Sequence, residues 1–220
     1  MQYLGLISYE RGLQFQTDAL AELQRGKTCR IFGLEHEPVI TLGVRGDVDQ
    51  DLSHTVAELR AMGIGLHFTA RGGQATLHSP GQLVIYPCIN LRAYGLGPRE
   101  YVELVQDATR GWLQEKGIES AKGLTEPGLF VDGKKLVAFG FKISRGLTSH
   151  GLAINVRNDL KLFRKIRTCG VDSQSLTSLQ QLGVSISHDL EALFLSWGQH
   201  FKRTLGEPRD TILTTEHGPR

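Results

Sequence analysis

Gly128-Leu129-Phe130-Val131-Asp132-Gly133 runs into Lys135-Leu136-Val137-Ala138-Phe139-Gly140 and on to Ile143, and a second turn at Arg145-Gly146 leads to Ser149-His150-Gly151-Leu152-Ala153-Ile154-Asn155-Val156. Asp-Gly between two runs of β-branched and aromatic residues is a strong hairpin signal, because both residues tolerate the positive φ that a tight β-turn demands. Three strands joined by two short turns are antiparallel. A doubly wound sheet needs parallel strands with long crossovers, so this stretch argues instead for an α+β domain.

Working outward, the chain reads as a strand Tyr3 to Tyr9, a helix Glu10 to Arg25 closed by Gly26, and strands Cys29 to Glu35 and Val39 to Gly43 separated by Pro38. Leu52, Val56 and Leu59 at i, i+4 and i+7 predict a short helix ended by Gly63, followed by a strand Gly65 to Thr69. Another strand spans Leu83 to Leu91. Pro98 then opens a helix with Tyr101, Leu104, Val105, Ala108 and Trp112 on one face and Gly117 at its end. Ser175 to Leu179 is expected to start a short helix, and Ser187 to cap a final one carrying Leu190, Phe194, Trp197, Phe201 and Leu205. One domain, residues 1–206, is expected, with a frayed tail at 207–220.

At 220 residues with 40% hydrophobic and 22% charged side chains, the composition is that of an ordinary globular domain. A formal charge of +2 gives no basis for a nucleic-acid partner. The N-terminus lacks a signal peptide's basic start and apolar run, and no stretch is a membrane span, so a cytoplasmic protein is expected. Three cysteines cannot all pair within one chain. Cys29 and Cys88 sit in apolar strands and read as small buried hydrophobes, whereas Cys169 follows Lys165, Arg167 and Thr168 and precedes Gly170, a basic setting that favours an accessible, acidified thiol. His36, His54, His67, His78 and His150 show no metal-ligand spacing, and no metal is expected.

Arg71-Gly72-Gly73-Gln74-Ala75-Thr76-Leu77-His78-Ser79-Pro80-Gly81-Gln82 reads as a loop between strands whose glycines allow a ligand close to the backbone. Taken in order with Glu35-His36-Glu37-Pro38-Val39-Ile40-Thr41-Leu42-Gly43, the Lys135 to Gly140 and His150 to Val156 stretches, and Thr168-Cys169-Gly170-Val171, it resembles the lipoyl(octanoyl) transferases of the LipB type over residues 30 to 180. One departure stands out: those enzymes have His-Gly-Pro-Gly-Gln where this chain has Ser79, whose side chain disfavours φ > 0.

The resemblance implies a biotin/lipoate protein ligase-like α+β fold, with mixed and antiparallel sheets and surrounding helices. It implies a Cys169–Lys135 dyad without a cofactor, Cys169 taking octanoyl from octanoyl-acyl carrier protein as a thioester and passing it to a lysine of a lipoyl domain. The acceptors would be lipoyl domains of 2-oxoacid dehydrogenases and the glycine cleavage H protein, met by a monomer. Arg71, Gly72, Gly73, Gln74, Ala75, Thr76, Leu77 and His78, with Ala138, Phe139, Gly140, Gly151, Leu152 and Ala153, would line the acyl tunnel and offer N–H donors to the oxyanion. A thiolate is the natural nucleophile for such chemistry. His78 and His150 compete with Lys135 for the base, and Lys134 reads as a solvated charge. Two rivals are an ATP-dependent lipoate-protein ligase, which needs no cysteine nucleophile, and a noncatalytic acyl-carrier-binding module, which would tolerate any small residue at 169.

Overall fold

The computed structural model describes residues 1–123, 127–167, 175–183 and 189–209. Cys169 lies outside them, as does Ser187.

Two sheets carry the architecture. The larger comprises β1 (Gln2–Ile7), β2 (Cys29–His36), β6 (Gln82–Ile89), β7 (Ala121–Lys122), β8 (Gly128–Val131), β9 (Lys134–Ser144) and β10 (Leu147–Asn155), in the order β1-β2-β6-β10-β9-β8-β7. Only β1 and β2 run parallel, joined across helix α1 (Tyr9–Gln24); every other neighbour is antiparallel, as the two turns at 132–133 and 145–146 require. The smaller sheet is β4-β3-β5, made of Gly65–Phe68, Val39–Leu42 and Ala75–His78. The α+β class stands, with one parallel pair inside each sheet.

Strand alternation sorts the large sheet into two faces. On one, Leu83, Ile85, Leu152 and Ile154 pack against the two helices that follow the short α4 (Leu91–Tyr94), namely α5 (Pro98–Gln114) and α6 (Leu190–Leu205), through Tyr101, Trp112, Phe194 and Trp197. Trp197 stacks on Phe201 at 4.8 Å and donates its indole N–H to Thr109 at 3.0 Å, so a large apolar ring is buried without orphaning its donor. On the other face Val84, Tyr86 and Ala153 meet α1 through Ala19 and Leu23. A third cluster, with Ile40, Leu42, Leu59, Leu77 and Ile166, fills the space under the small sheet.

Four local readings are corrected. The stretch from Arg71 to Gln82 is not one loop: its centre is strand β5, paired antiparallel to β3, with turns only at its ends. Leu52 is not helical. Two short helices flank it, α2 (Val48–Asp51) and α3 (Val56–Ala61), because Thr55 and Glu58 form a capping box that restarts the helix there, while Leu52 bridges to Ile166. Leu176 to Leu179 are not helical either; Leu176 bridges Lys135 in parallel, a tertiary pairing that overrides local preference. The last helix is capped by Asp189, whose carboxylate accepts from Glu191 and Ala192. Past that helix the backbone stays attached as far as Arg209, which donates to the Ala93 carbonyl at 2.7 Å.

Candidate active site

A cavity of about 160 Å³ opens between the two sheets, walled by the turn at Arg71–Gln74, β5, and the facing strands β9 and β10. Two breaks in strand alternation aim side chains into it. In β9 the pairing with β8 slips by one residue: Phe130 faces Lys135 while Leu129 faces Val137, leaving Leu136 as an extra residue. Leu136 and Val137 both enter the helical core, so Lys135 falls on the same face as Ala138 and Gly140 and lines the cavity. In β10, strict alternation would send His150 to the core with Leu152 and Ile154. His150 instead has φ of +57°, and its ring stands edge-on to Tyr86 at 6.4 Å on the cavity side. Its backbone N–H is held by the Gln16 side chain at 2.6 Å, which helps maintain a conformation that a residue with a Cβ adopts at a cost.

Arg71 is buried, and it ties the turn together. Its guanidinium donates to the carbonyls of Thr41, Gly72 and Gln74 at 2.6, 3.0 and 2.8 Å, and to the Thr41 hydroxyl. Burial lowers its pKa from the ordinary value. Gly73 takes φ of +93°, and Gly43 packs so close beneath that a Cβ there would collide with the Gly73 carbonyl oxygen. In the turn before β6 the left-handed residue is Gly81, at +89°, whereas Ser79 keeps φ out of that region; the serine departure therefore puts no strain on the backbone, although its buried hydroxyl has no hydrogen-bond partner.

The histidines form a neutral group at this wall, with His78 and His150 lining the cavity and His36 behind them. His36 is fully buried; its Nδ1 donates to the Ile7 carbonyl at 3.2 Å and its Nε2 accepts from the Tyr86 hydroxyl at 2.7 Å. His150 lies 3.3 Å from the Thr69 hydroxyl, which also accepts from Tyr9. Burial pushes His36 and His150 down to about 4 and His78, also beside His36, to about 3. At neutral pH all three are uncharged, so none supplies a cation that would favour a thiolate; the lysine named from the sequence for that part, Lys135, also lines the cavity. Its ammonium lies 5.4 Å above the Phe130 ring, and its carbonyl accepts from Thr177 at 3.1 Å.

Of the wall residues named from sequence, Leu77 does not reach the cavity: β5 alternation turns Thr76 and His78 inward to the site and Leu77 into the core beside Ile40 and Leu59. The others line it with Lys135, while Cys169 lies outside the described residues. Sequence reading missed Tyr9, Gln82, Tyr86, Asn155 and Leu176 as lining residues. Gln82 and Asn155 sit inside the very motifs that drew attention, so their positions were visible; Tyr9 and Tyr86 carried no sign of it.

The catalytic-domain model of lipoyl protein ligases A and B matches residues 8–193. The chain belongs to this family. A mitochondrial octanoyltransferase of Arabidopsis thaliana is 37% identical over 180 residues, covering 81% of this chain and 76% of its own length. An octanoyltransferase of Thermoanaerobacter sp. (strain X514) is 33% identical over 204 residues, covering 92% and 88%. Among solved structures, lipoate-protein ligase A bound with ATP superimposes with a TM-score of 0.73 at 16% identity, over 93% of this chain and 83% of that one. A bipartite lipoate protein ligase from Thermoplasma acidophilum gives the same TM-score, over 93% and 84%. These two likenesses show that this lipoyl ligase A/B member shares the ligase fold.

Proposed function

We propose that the chain moves an octanoyl group from acyl carrier protein to a lysine of a lipoyl domain through a thioester on Cys169. Octanoyl transfer in protein lipoylation rests on relatives named octanoyltransferase at 33% and 37% identity over most of the chain. The observation that carries the catalytic reading is the bulge that turns Lys135 into a cavity walled by Ala138, Gly140 and Gly151.

In the first half-reaction the Cys169 thiolate attacks the carbonyl of octanoyl-phosphopantetheine, and the carbon–sulfur bond to the carrier breaks as the Lys135 ammonium gives its proton to the departing sulfur, which leaves Lys135 a neutral amine. In the second, the acceptor lysine's amine attacks the enzyme thioester. An amide forms, Cys169 leaves as thiolate, and Lys135 accepts the proton from the amine. No ATP is consumed. Backbone N–H groups of the glycine-rich turn, apart from that of Gly72, which already donates to the Phe141 carbonyl, are the candidate donors for the oxyanion of each tetrahedral intermediate. The acceptors are lipoyl domains of 2-oxoacid dehydrogenases and the glycine cleavage H protein, and the enzyme works as a cytoplasmic monomer.

The experiment is intact mass spectrometry after incubation with octanoyl-acyl carrier protein. One octanoyl group is expected on the parent and none on Cys169→Ala, with Cys29→Ala and Cys88→Ala retaining it. Burial raises the Cys88 pKa to about 12 and also raises that of Cys29, so both stay thiols at neutral pH. An adduct on either of them, or none with active carrier protein, defeats the mechanism.

A further inference from the structure

The structure assigns Gln82 and Asn155 as positioning residues, which set the proton of His78 and fasten the segment beginning at Ser175 to Lys135; as a role in catalysis this rests on the octanoyl-transfer reading above. Four hydrogen bonds run in one direction. His78 Nδ1 lies 2.7 Å from Gln82 Oε1; Gln82 Nε2 donates to Asn155 Oδ1 at 3.0 Å; Asn155 Nδ2 donates to the Thr177 carbonyl at 3.1 Å; and the Thr177 N–H donates to the Lys135 carbonyl at 3.1 Å. His78, Gln82, Asn155 and Thr177 are all buried.

The direction is forced from the far end. The Thr177 carbonyl can only accept, so Asn155 must present its amide nitrogen there and its oxygen to Gln82; Asn158 Nδ2 also donates to that oxygen, at 3.2 Å. Gln82 then has only its oxygen left for His78. The imidazole must place its proton on Nδ1, leaving Nε2 as a bare acceptor on a ring that lines the cavity. Each amide in such a chain polarises the next, so removing one link weakens the others. The far end of the chain matters as much. Thr177 stands eight residues after Cys169, and its two backbone bonds, with the Leu176 bridge to Lys135 and the Leu179 N–H to Asn155 carbonyl bond, strap this segment between β9 and β10.

The test combines imidazole ¹⁵N shifts of histidine-labelled protein, hydrogen exchange at Thr177, and steady-state octanoyl transfer. In the parent, His78 should be the Nδ1–H tautomer and the Thr177 amide protected. Gln82→Leu should let His78 populate both tautomers and lower kcat about a hundredfold, the scale of a small misplacement of reacting groups, with KM for the donor changed by less than about threefold. Asn155→Ala should do the same and also expose the Thr177 amide to exchange. Asn155→Asp keeps the oxygen for Gln82 and lacks the N–H for Thr177, so it should restore the tautomer while exchange stays fast. If Asn155→Ala does not fold, Gln82→Leu and Asn155→Asp still decide the matter. An unchanged tautomer in Gln82→Leu, or an altered tautomer with unaltered kcat, overturns the assignment. A parent protein that moves no octanoyl group would overturn the functional reading instead, with the tautomer and exchange results still deciding the relay.

Discussion

The Lys135 carbonyl accepts the Thr177 N–H at 3.1 Å, and this bond joins the strand that presents the candidate base to the chain just beyond the candidate nucleophile. Cys169 and Lys135 are thirty-four residues apart in sequence, yet the return of the chain to Lys135 is fixed by pairing at Leu176 and Thr177. Proline at Thr177 would remove the N–H. That variant should keep the two sheets and lose octanoyl transfer by at least tenfold, measured beside its circular dichroism spectrum; transfer at the parent rate would show that the strap does not position the site.

The acyl space can be tested at two alanines that face the cavity but differ in what lies behind them. Ala153 also belongs to the cluster with Ala19, Leu23 and Tyr86, so Ala153→Phe should overpack α1 against the sheet and cost about 1–3 kcal/mol of stability in urea denaturation. Ala138 is half-buried, away from that cluster. Ala138→Leu should therefore keep the parent's midpoint while slowing octanoyl transfer more than transfer of a shorter acyl group. Equal slowing of both chain lengths would mean that Ala138 walls something other than the chain.

Arg71 gives a different signature because it satisfies main-chain oxygens. Arg71→Lys keeps a charge but not the planar fork that serves the Thr41 and Gln74 carbonyls and the Thr41 hydroxyl together. A loss of about 1–3 kcal/mol is expected, each abandoned buried acceptor contributing to it. Differential scanning calorimetry showing no loss would rule out the anchoring role.

The histidine group makes stability depend on pH with a definite sign. His36 and His150 fall to about 4 and His78 to about 3 in the folded protein, all through burial, against an unfolded value of 6.5. Between these limits the unfolded chain binds more protons, so stability rises with pH; it is fully present above about 6.5 and drains away as pH falls toward 4. Unfolding free energies from urea denaturation at pH 7.5, 6 and 5 should decline in that order, by several kcal/mol in total. A midpoint that rises on acidification would contradict neutral buried imidazoles.

Strand alternation and turn chemistry made much of the fold legible. Asp132-Gly133 and Arg145-Gly146 announced β8 to β10, and the positive φ values at all four positions are what those turns need. The face of α5 was readable from Tyr101 to Trp112 for the same kind of reason, since helical spacing reports burial directly. The site was legible as motifs and illegible as geometry. Lys135 reaches the cavity only because of a one-residue slip, and His150 only because of its φ; both are set by tertiary contacts that leave no mark in local composition. Ser175 to Leu179 failed for the same cause: the side chain of Asn155 and the carbonyl of Lys135 claim the backbone groups of Thr177 that a helix would have used.

The last prediction concerns the proposed dyad, in which a cation beside Cys169 would favour the thiolate and lower the pH at which the thiol reacts. Lys135→Met preserves most of the stem and removes the charge, so the midpoint for alkylation of Cys169 by a neutral reagent should move up by about one unit, equivalent to about 1.4 kcal/mol. Lys134 is the control, because it is exposed on the hairpin and does not line the cavity, and Lys134→Met should leave the midpoint alone. Loss of the proton acceptor should also slow the second half-reaction more than the first, so the octanoyl adduct should accumulate on Lys135→Met in the presence of acceptor domain. If this variant titrates like the parent and passes its acyl group on at the same rate, Lys135 neither activates the thiol nor takes the amine's proton, and its place in the cavity would have to be explained by binding alone.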